Sequence, residues 1–182
     1  ESLVHSLVEF VDGSLLAHIA KTRPRCHLEG IDLSDEAVKL TMQKGFKARK
    51  FDLIKDGVES LEAYDHIIMA EVIEHVPNPE ELVLALKSKV KISLIVTTPN
   101  VAFILYRFRL FFFGKFPATC CTFHIREHLS FWSFKDFRFW ASYLGFNVKE
   151  MEGVGGIKIF GLNRLMPNLF AGHILAVIQS RK

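Results

Sequence analysis

The sequence predicts an α/β protein with a doubly wound, mostly parallel sheet. Short apolar or β-branched runs alternate with segments of helical hydrophobic spacing, and capping residues, glycines and prolines separate them. The sequence shows no internal repeat, heptad run or low-complexity linker. Because strands that alternate with helices form βαβ units, the sheet is expected to be mainly parallel.

The first two segments are predicted to be helices. In the first segment, apolar residues recur at helical spacing. They are Leu3, Val4, Leu7, Val8 and Val11. Asp12-Gly13-Ser14 then opens a second helix over residues 15–22, for which Ser14 is the expected N-cap.

Strands and helices alternate over the rest of the chain. The predicted strands are 27–33, 48–53, 64–72, 93–98, 146–152 and 173–179. Further helices are predicted over 37–44, 80–86 and 134–144. Ser34 and Ser133 are the expected N-caps of the first and last of these helices, and Gly45 and Gly145 follow their ends.

Composition and charge narrow the class of function. The chain has 182 residues, 49% of them hydrophobic, which suffices for one domain with its own core. Because 23 Lys and Arg against 20 Asp and Glu leave only +3, nucleic acid is not expected as a partner. Cys26, Cys120 and Cys121 lack metal-binding or redox spacing, and the first residues do not resemble a secretory signal. We therefore expect a cytoplasmic protein.

Residues 101–116 form an unusually apolar stretch, VAFILYRFRLFFFGKF. A membrane span needs about 20 apolar residues, and this stretch is shorter and contains Arg107, Arg109 and Lys115. We interpret it as a core or subunit-contact helix whose arginines extend to solvent. The alternatives are a lid over an apolar substrate and an element that lies on a membrane surface.

Three carboxylates are expected to lie at one edge of the sheet. Asp32, Asp52 and Glu71 each close a predicted strand, and ligands of open α/β sheets bind beyond the carboxyl ends of the strands. A carboxylate in such a position can accept hydrogen bonds from both hydroxyls of a ribose. These residues therefore indicate a site for a nucleoside.

Six motifs extend this pattern over nearly the whole chain. They are Asp12-Gly13-Ser14-Leu15-Leu16, Gly30-Ile31-Asp32-Leu33-Ser34, Phe51-Asp52-Leu53, Glu71-Val72-Ile73-Glu74-His75-Val76-Pro77-Asn78-Pro79, Thr98-Pro99-Asn100 and His128-Leu129-Ser130-Phe131-Trp132-Ser133. In this order they resemble the class I S-adenosylmethionine-dependent methyltransferases, and the last motif resembles the small-molecule branch of that family.

The resemblance implies a Rossmann-like, three-layer α/β/α sandwich with an antiparallel C-terminal strand. It implies one methyltransferase-like domain over 1–182, with 101–128 as a lid or acceptor-side insertion, and S-adenosylmethionine as cofactor with S-adenosylhomocysteine as product. Asp32 would bind the ribose hydroxyls and Asp52 the adenine amino group. The residues that it assigns to the cofactor are Asp12, Gly13, Asp32, Leu33, Asp52, Leu53, Ala70 and Glu71.

The chain departs from the family pattern at the first strand and loop. The family has a hydrophobic strand that ends in acid-x-Gly-x-Gly, whereas here Phe10-Val11 runs directly into Asp12-Gly13. About ten residues, including the first strand of the sheet, are therefore expected to be missing at this junction. Either cofactor binding is lost or the sequence omits a disordered segment, and we favour the second because the downstream motifs are intact.

Histidines are the expected acid–base residues. A hydroxyl acceptor loses a proton as it attacks, and imidazole titrates near neutral pH, so the candidate general bases are His75, His124 and His128, of which His75 and His128 are preferred. The alternative for His128 is a structural imidazole that hydrogen-bonds to a loop carbonyl. The acceptor is expected to contact Phe103, Arg107, His124 and Arg126. No metal is expected, because His124 and His128 lack an HExxH helix and an evident third ligand.

The acceptor and the activity leave alternatives. A lipid or quinone-like acceptor would suit the Phe-rich stretch, whereas a polar metabolite would suit the basic His124 to His128 segment, and the accepting atom could be O, N or C. One alternative function is a methyltransferase-like subunit without activity. The other is a nicotinamide-dependent oxidoreductase, which would need a GxGxxG motif that the sequence does not contain.

Overall fold

The computed structural model describes residues 4–9, 13–116 and 128–181 and confirms the α/β class. Its strands are β1 (Val4–Glu9), β2 (Cys26–Asp32), β3 (Lys47–Lys50), β4 (Tyr64–Ala70), β5 (Val90–Pro99), β6 (Phe146–Val154) and β7 (His173–Ser180). The α-helices are α1 (Ser14–Thr22), α2 (Asp35–Gln43), α3 (Pro79–Leu86), α4 (Ile104–Phe113), α5 (Phe134–Tyr143), α6 (Leu162–Leu165) and α7 (Pro167–Phe170). Short 3-10 turns lie at Val58–Ser60, Ile73–His75 and Ile159–Gly161.

The strands follow the order β3-β2-β1-β4-β5-β7-β6. β1 pairs in parallel with both β2 and β4, and β2 pairs in parallel with β3. β6 and β7 are antiparallel, with an irregularity in register between Val148 and Glu150. The predicted sheet, mostly parallel with an antiparallel C-terminal strand, is therefore confirmed.

The chain divides into two compact units. The first comprises Glu1–Ala70 and Glu80–Ile95 and contains β1 to β4 with α1 to α3. The second comprises Glu71–Pro79 and Val96–Lys182 and contains α4 to α7 with β6 and β7. β5 contributes residues to both units.

The prediction for the first segment is wrong. Val4–Glu9 is not an amphipathic helix but β1, which is hydrogen-bonded to strands on both sides. The expectation of a missing first strand at the junction of Val11 and Asp12 is wrong for the same reason, because β1 is that strand. A strand inside a parallel sheet need not show the apolar–polar alternation that identifies a half-exposed strand, and the apolar residues of this segment also fit helical spacing.

The N-cap of α1 is Gly13 and not the predicted Ser14, which is the first residue of the helix. Gly13 is the N-cap residue with φ of 73°, and the Ser14 Oγ instead accepts a hydrogen bond from Lys44 Nζ at 2.9 Å. A Cβ on Gly13 would lie 2.8 Å from Thr41 Oγ1, so only glycine fits between α1 and α2 at this point. Leu16, which is fully buried, anchors α1 in the core of the first unit.

Glu29 in β2 links three elements of the first unit. Its carboxylate accepts hydrogen bonds from Lys47 Nζ and Arg49 Nε, each at 3.2 Å, and from Tyr64 Oη at 3.1 Å. Burial by itself raises the pKa of Glu29, but these hydrogen bonds and the charge of Lys47 outweigh it and leave the pKa below its ordinary value. Burial and the neighbouring Glu29 charge raise the pKa of Tyr64 to about 12.

α5 confirms the predicted cap of the last long helix. The Ser133 Oγ accepts a hydrogen bond from the Asp136 backbone N–H, and the Asp136 carboxylate accepts one from the Ser133 N–H, which forms a capping box. Phe137 and Ala141 on α5 and Phe146 at the start of β6 are almost completely buried. These side chains form part of the core of the second unit.

Asn100, which follows β5, holds the turn before β7 in the second unit. Its Nδ2 donates to the carbonyl oxygens of Ala171 at 2.8 Å and of Pro167 and Asn168 at 3.3 Å. Its Oδ1 accepts from the Ala102 N–H at 3.1 Å. Asn100 is completely buried, so these contacts satisfy polar groups that water does not reach.

The Phe-rich stretch forms α4, but it is not part of the core. None of the residues of α4 is buried, and Phe111 is 82% exposed. The core interpretation is therefore wrong for this chain, whereas subunit contact, a lid and a membrane-surface element stay predictions. Within the described ranges, no helix combines the length and apolar character that a membrane crossing requires.

Candidate cofactor and acceptor sites

The first unit contains the point where the strand order reverses. From β1 the chain proceeds to β2 and β3 on one side and to β4 on the other. In register, Glu9 lies beside Ile31 and Met69, so Asp32 and Ala70 both extend one residue beyond the level of Glu9. Ligands of doubly wound sheets bind outside the carboxyl ends of strands at such a reversal.

Asp32 is oriented by its own turn. It ends β2, and its Oδ1 accepts a hydrogen bond from the Ser34 N–H at 2.7 Å. Burial raises the pKa of this carboxyl, while hydrogen bonds from the Ser34 and Leu33 backbone oppose the rise. The adjacent Leu33 is 56% exposed despite its apolar side chain. A carboxylate beside an apolar side chain is the combination expected for a ribose and the base attached to it.

Asp52 lies farther from its strand than the sequence predicts. β3 ends at Lys50 rather than at residue 53, so the predicted strand bounds and the position of Asp52 at a strand end are wrong. Its Oδ1 accepts from the N–H groups of Ile54 at 3.0 Å and Lys55 at 3.1 Å, and hydrogen bonding to Lys55 lowers the pKa of this carboxyl. Leu53 is largely buried. Asp52 therefore stabilises a turn, and its role toward adenine stays a prediction.

The connection between β1 and α1 has a single glycine. Its sequence is Phe10-Val11-Asp12-Gly13, and only Gly13 lies within the described residues. The family pattern places glycines in this loop, where the backbone can approach a ligand closely because no Cβ intervenes. Because β1 is present, Phe10 and Val11 occupy the stretch in which further glycines are expected.

Glu71 adopts a backbone conformation that non-glycine residues rarely use. It follows β4 with φ of 59°, and its N–H donates to the carbonyl oxygen and Oγ1 of Thr97, each at 3.2 Å. Its Oε2 lies 3.6 Å from His173 Nε2. Left-handed backbone at a non-glycine residue costs about 1–3 kcal/mol and concentrates at functional sites.

The second unit brings together Glu74, His75 and His128. One potential ligand atom from each side chain lies within 4.8 Å of those of the other two. The imidazole rings of His75 and His128 meet edge to face, with centroids 4.7 Å apart. The two histidines predicted as general bases are therefore neighbours, although they are 53 positions apart in sequence.

Glu74 is the residue of this cluster that the sequence-based assignment missed. Its side chain is 1% exposed, and among the described residues neither carboxylate oxygen has a partner within hydrogen-bond distance. The Thr98 hydroxyl, which also lacks a partner, and the Glu71 carboxyl are nevertheless near enough to affect the pKa of Glu74. Burial, assisted by the charge of Glu71, raises the pKa of Glu74 to about 8. The signal that could have identified it was present in the quoted motif, where Glu74 directly precedes His75.

The predicted acceptor contacts are only partly described. Phe103 is buried at the start of α4, and the Arg107 Nε donates to the Ala102 carbonyl oxygen at 2.5 Å. His124 and Arg126 lie outside the described residues. The contacts of all four residues with an acceptor stay predictions.

A family model decides the relationship of this chain to known proteins. Residues 7–178 match the model described as "Methionine biosynthesis protein MetW". The chain belongs to the MetW family. No curated protein sequence matches the chain.

Solved structures confirm the class I methyltransferase fold of this MetW-family chain. A SAM-dependent methyltransferase from Archaeoglobus fulgidus is 17% identical with a TM-score of 0.68, covering 99% of this chain and 87% of its own. A putative methyltransferase, solved in complex with the Trm112 activator of Haloferax volcanii, is 13% identical with a TM-score of 0.68. The match covers 100% of this chain and 84% of the neighbour's chain.

A third structure contains the predicted cofactor. Magnesium protoporphyrin IX methyltransferase from Synechocystis, solved with bound SAM, is 16% identical with a TM-score of 0.62, covering 98% of this chain and 71% of its own. At these identities the likeness establishes the fold. The cofactor predicted from the sequence is thus the one that a protein of the same fold binds.

Proposed function

We propose that this chain is an S-adenosylmethionine-dependent methyltransferase that acts on a small molecule. The observation that carries the proposal is Asp32, held by its own turn at the carboxyl end of β2, next to the strand reversal between β1 and β4. The class I fold supports the same cofactor. Asp32 would accept hydrogen bonds from the ribose hydroxyls, and the exposed Leu33 would contact the purine.

The residues would contribute binding and proton transfer. S-adenosylmethionine supplies an activated methyl group when bound, so the protein's task is to hold its ligands in line and exclude water. An acceptor hydroxyl must lose its proton, and either His75 or His128 could accept it at an imidazole nitrogen. Glu71, with its unusual backbone, would position backbone groups after β4.

The exposed aromatic side chains of α4 support an apolar acceptor. Phe111, Phe112 and Phe113 are all more than half exposed, and an apolar ligand would cover such surface favourably. We propose a lipid or quinone-like acceptor, with 101–128 as the lid of a single domain. A methyl-transfer screen that compares phenolic lipids with polar hydroxy metabolites tests this choice, and transfer to the polar set alone would exclude it.

Binding of S-adenosylhomocysteine to purified protein tests the cofactor assignment. Losing the Asp32 contact should weaken binding by roughly 2–3 kcal/mol, or roughly 30- to 150-fold, in Asp32→Ala. Asp35→Ala is the matched control, because Asp35 is exposed three residues later and pairs with Lys50. Equal affinities of wild type and Asp32→Ala would remove Asp32 from the site.

The single glycine between β1 and α1 favours a second candidate function. A methyltransferase-like binding module without activity would not need a loop that approaches the cofactor closely, and a protein partner would be its ligand. If the wild type fails to bind S-adenosylhomocysteine while Phe10→Gly/Val11→Gly binds it, the loop is the cause and the second candidate is favoured. Binding of S-adenosylhomocysteine by the wild type would show that this loop still admits the cofactor, which contradicts the second candidate.

A further inference from the structure

We propose that Glu74, His75 and His128 bind a divalent transition-metal ion, with Zn²⁺ or Mn²⁺ as the class of ion that this site takes. One carboxylate and two imidazoles are a ligand set that such ions accept, with positions left open for water or substrate. The sequence-based expectation of no metal considered His124 with His128, whereas the structure places Glu74 and His75 beside His128.

The distances suit a single ion. The three ligand atoms lie within 4.8 Å of one another. Bonds of about 2.0–2.2 Å to one ion place two ligand atoms no more than about 4.4 Å apart, so small rotations of the side chains complete the site. Both histidines have accessible surface, His128 being half-buried and His75 exposed, so an ion could enter from solvent.

The buried carboxylate of Glu74 is the independent observation that points to a ligand. Its side chain is 99% shielded from solvent, and both oxygens lack hydrogen-bond partners among the described residues. A polar group that is buried without a hydrogen-bond partner costs free energy. A divalent cation would give the orphaned oxygens of Glu74 a partner.

Backbone hydrogen bonds hold the ligands in place without the metal. The Glu74 carbonyl oxygen accepts from the N–H groups of Leu129 at 2.7 Å and Ser130 at 3.2 Å, which fixes the segment that begins with His128. The His75 N–H donates to the Val72 carbonyl oxygen at 3.0 Å, which fixes the other side of the cluster. The cluster is therefore assembled by main-chain contacts rather than by the chance approach of flexible side chains.

The role of a bound ion in methyl transfer rests on the proposed function. An ion on this cluster would bind the acceptor hydroxyl and lower its pKa. The two imidazoles would then serve as metal ligands instead of accepting the proton, which would leave to solvent. The oxygen–methyl bond would form as the sulfur–methyl bond breaks, giving the methyl ether and the thioether product. Metal binding itself can be measured whether or not methyl transfer occurs.

Calorimetric titration of chelator-treated full-length protein with ZnSO₄ and with MnCl₂ tests the site. Wild type should bind one equivalent of at least one of these ions. Two variants should each weaken metal binding by more than about 100-fold: His128→Ala, and Glu74→Gln, which keeps the size of the side chain but removes the carboxylate. Losing a metal ligand should weaken binding more than losing a residue that only hydrogen-bonds to a ligand, which costs about 10- to 100-fold. His18→Ala removes an exposed imidazole from α1 and should bind like wild type.

Two further measurements keep the outcomes separate. Far-UV circular dichroism establishes that the variants are folded, and visible absorption of the Co²⁺-loaded protein reports on imidazole ligation, which His75→Ala should change. Failure of wild type to bind either ion, or unchanged affinity in folded Glu74→Gln and His128→Ala, would overturn the proposal. The titration with S-adenosylhomocysteine is independent, so metal binding without cofactor binding would contradict the proposed function alone.

Discussion

Replacing Asn100 with Asp tests how the second unit holds its turn before β7. In wild type the Asn100 Nδ2 donates to three carbonyl oxygens, of Ala171, Pro167 and Asn168. The substitution keeps the shape of the side chain but turns the donor into an oxygen that faces the same carbonyls. At pH 7 the buried site would therefore contain an unpaired charge and repulsion in place of hydrogen bonds.

The magnitude follows from the contacts. Asn100→Ala removes the donor and leaves buried carbonyl oxygens and the Ala102 N–H with fewer partners. Each unsatisfied buried group costs about 1–3 kcal/mol, so we expect the free energy of unfolding to fall by about 2–4 kcal/mol. Asn100→Asp should cost more, about 4–5 kcal/mol at pH 7, since an unpaired buried charge costs about 3–5 kcal/mol when its partner is missing.

Urea unfolding at several pH values measures these losses. Burial raises the pKa of an introduced Asp, so its penalty is present above that pKa and decreases as the pH falls toward about 4, where the protonated carboxyl can donate to a carbonyl oxygen. Asn147→Asp is the matched control, because Asn147 pairs with Arg181 at the surface and should change stability by less than about 1 kcal/mol. A loss below about 1 kcal/mol for Asn100→Asp at pH 7 would refute the reasoning.

Three further predictions concern other parts of the chain. Gly156→Ala should destabilise the protein strongly in urea unfolding, because φ is 74° and a Cβ would lie 2.1 Å from the Phe170 carbonyl oxygen, whereas Gly114→Ala has open space and should cost less. Phe137→Ala should cost about 3–5 kcal/mol through the cavity that it leaves, and a loss under about 1 kcal/mol would contradict its place in the core. Glu29 has a folded pKa below its unfolded value, so its stabilising contribution should be present above pH about 4.5 and lost as the pH falls through the folded pKa. A Glu29→Gln variant with the same acid dependence as wild type would contradict this assignment.

The sequence predicted most of the fold because local signals agreed with the final structure. Ser34 and Ser133 cap the helices where expected, and Gly45 and Gly145 follow their ends. β1, which pairs in parallel with strands on both sides, could not be identified from its pattern, since strands of parallel sheets need not alternate apolar and polar residues. The short helices after residue 158 were also missed, because four residues are too few for helical spacing to show.

The candidate site was predicted in part. Asp32 follows directly from the rule that ligands bind at the carboxyl ends of strands, and it lies where that rule places it. Asp52 does not end a strand, because a tight turn begins after Lys50 and uses the carboxylate for its own N–H groups. The meeting of Glu74 with His128 depends on hydrogen bonds between segments more than 50 positions apart, and no local pattern encodes such contacts.

The position of β1 between β2 and β4 has a consequence for the order of folding. β1 can pair with β2 once residue 32 is available, but its other edge stays open until β4, which ends at Ala70, can join it. During synthesis an open strand edge of this kind would persist for about 2–8 s, since chains grow by about 5–20 residues per second. An unpaired edge can join another chain, so this interval is when the nascent protein would be most exposed to aggregation. A chaperone would therefore protect the chain most effectively before residue 70 emerges.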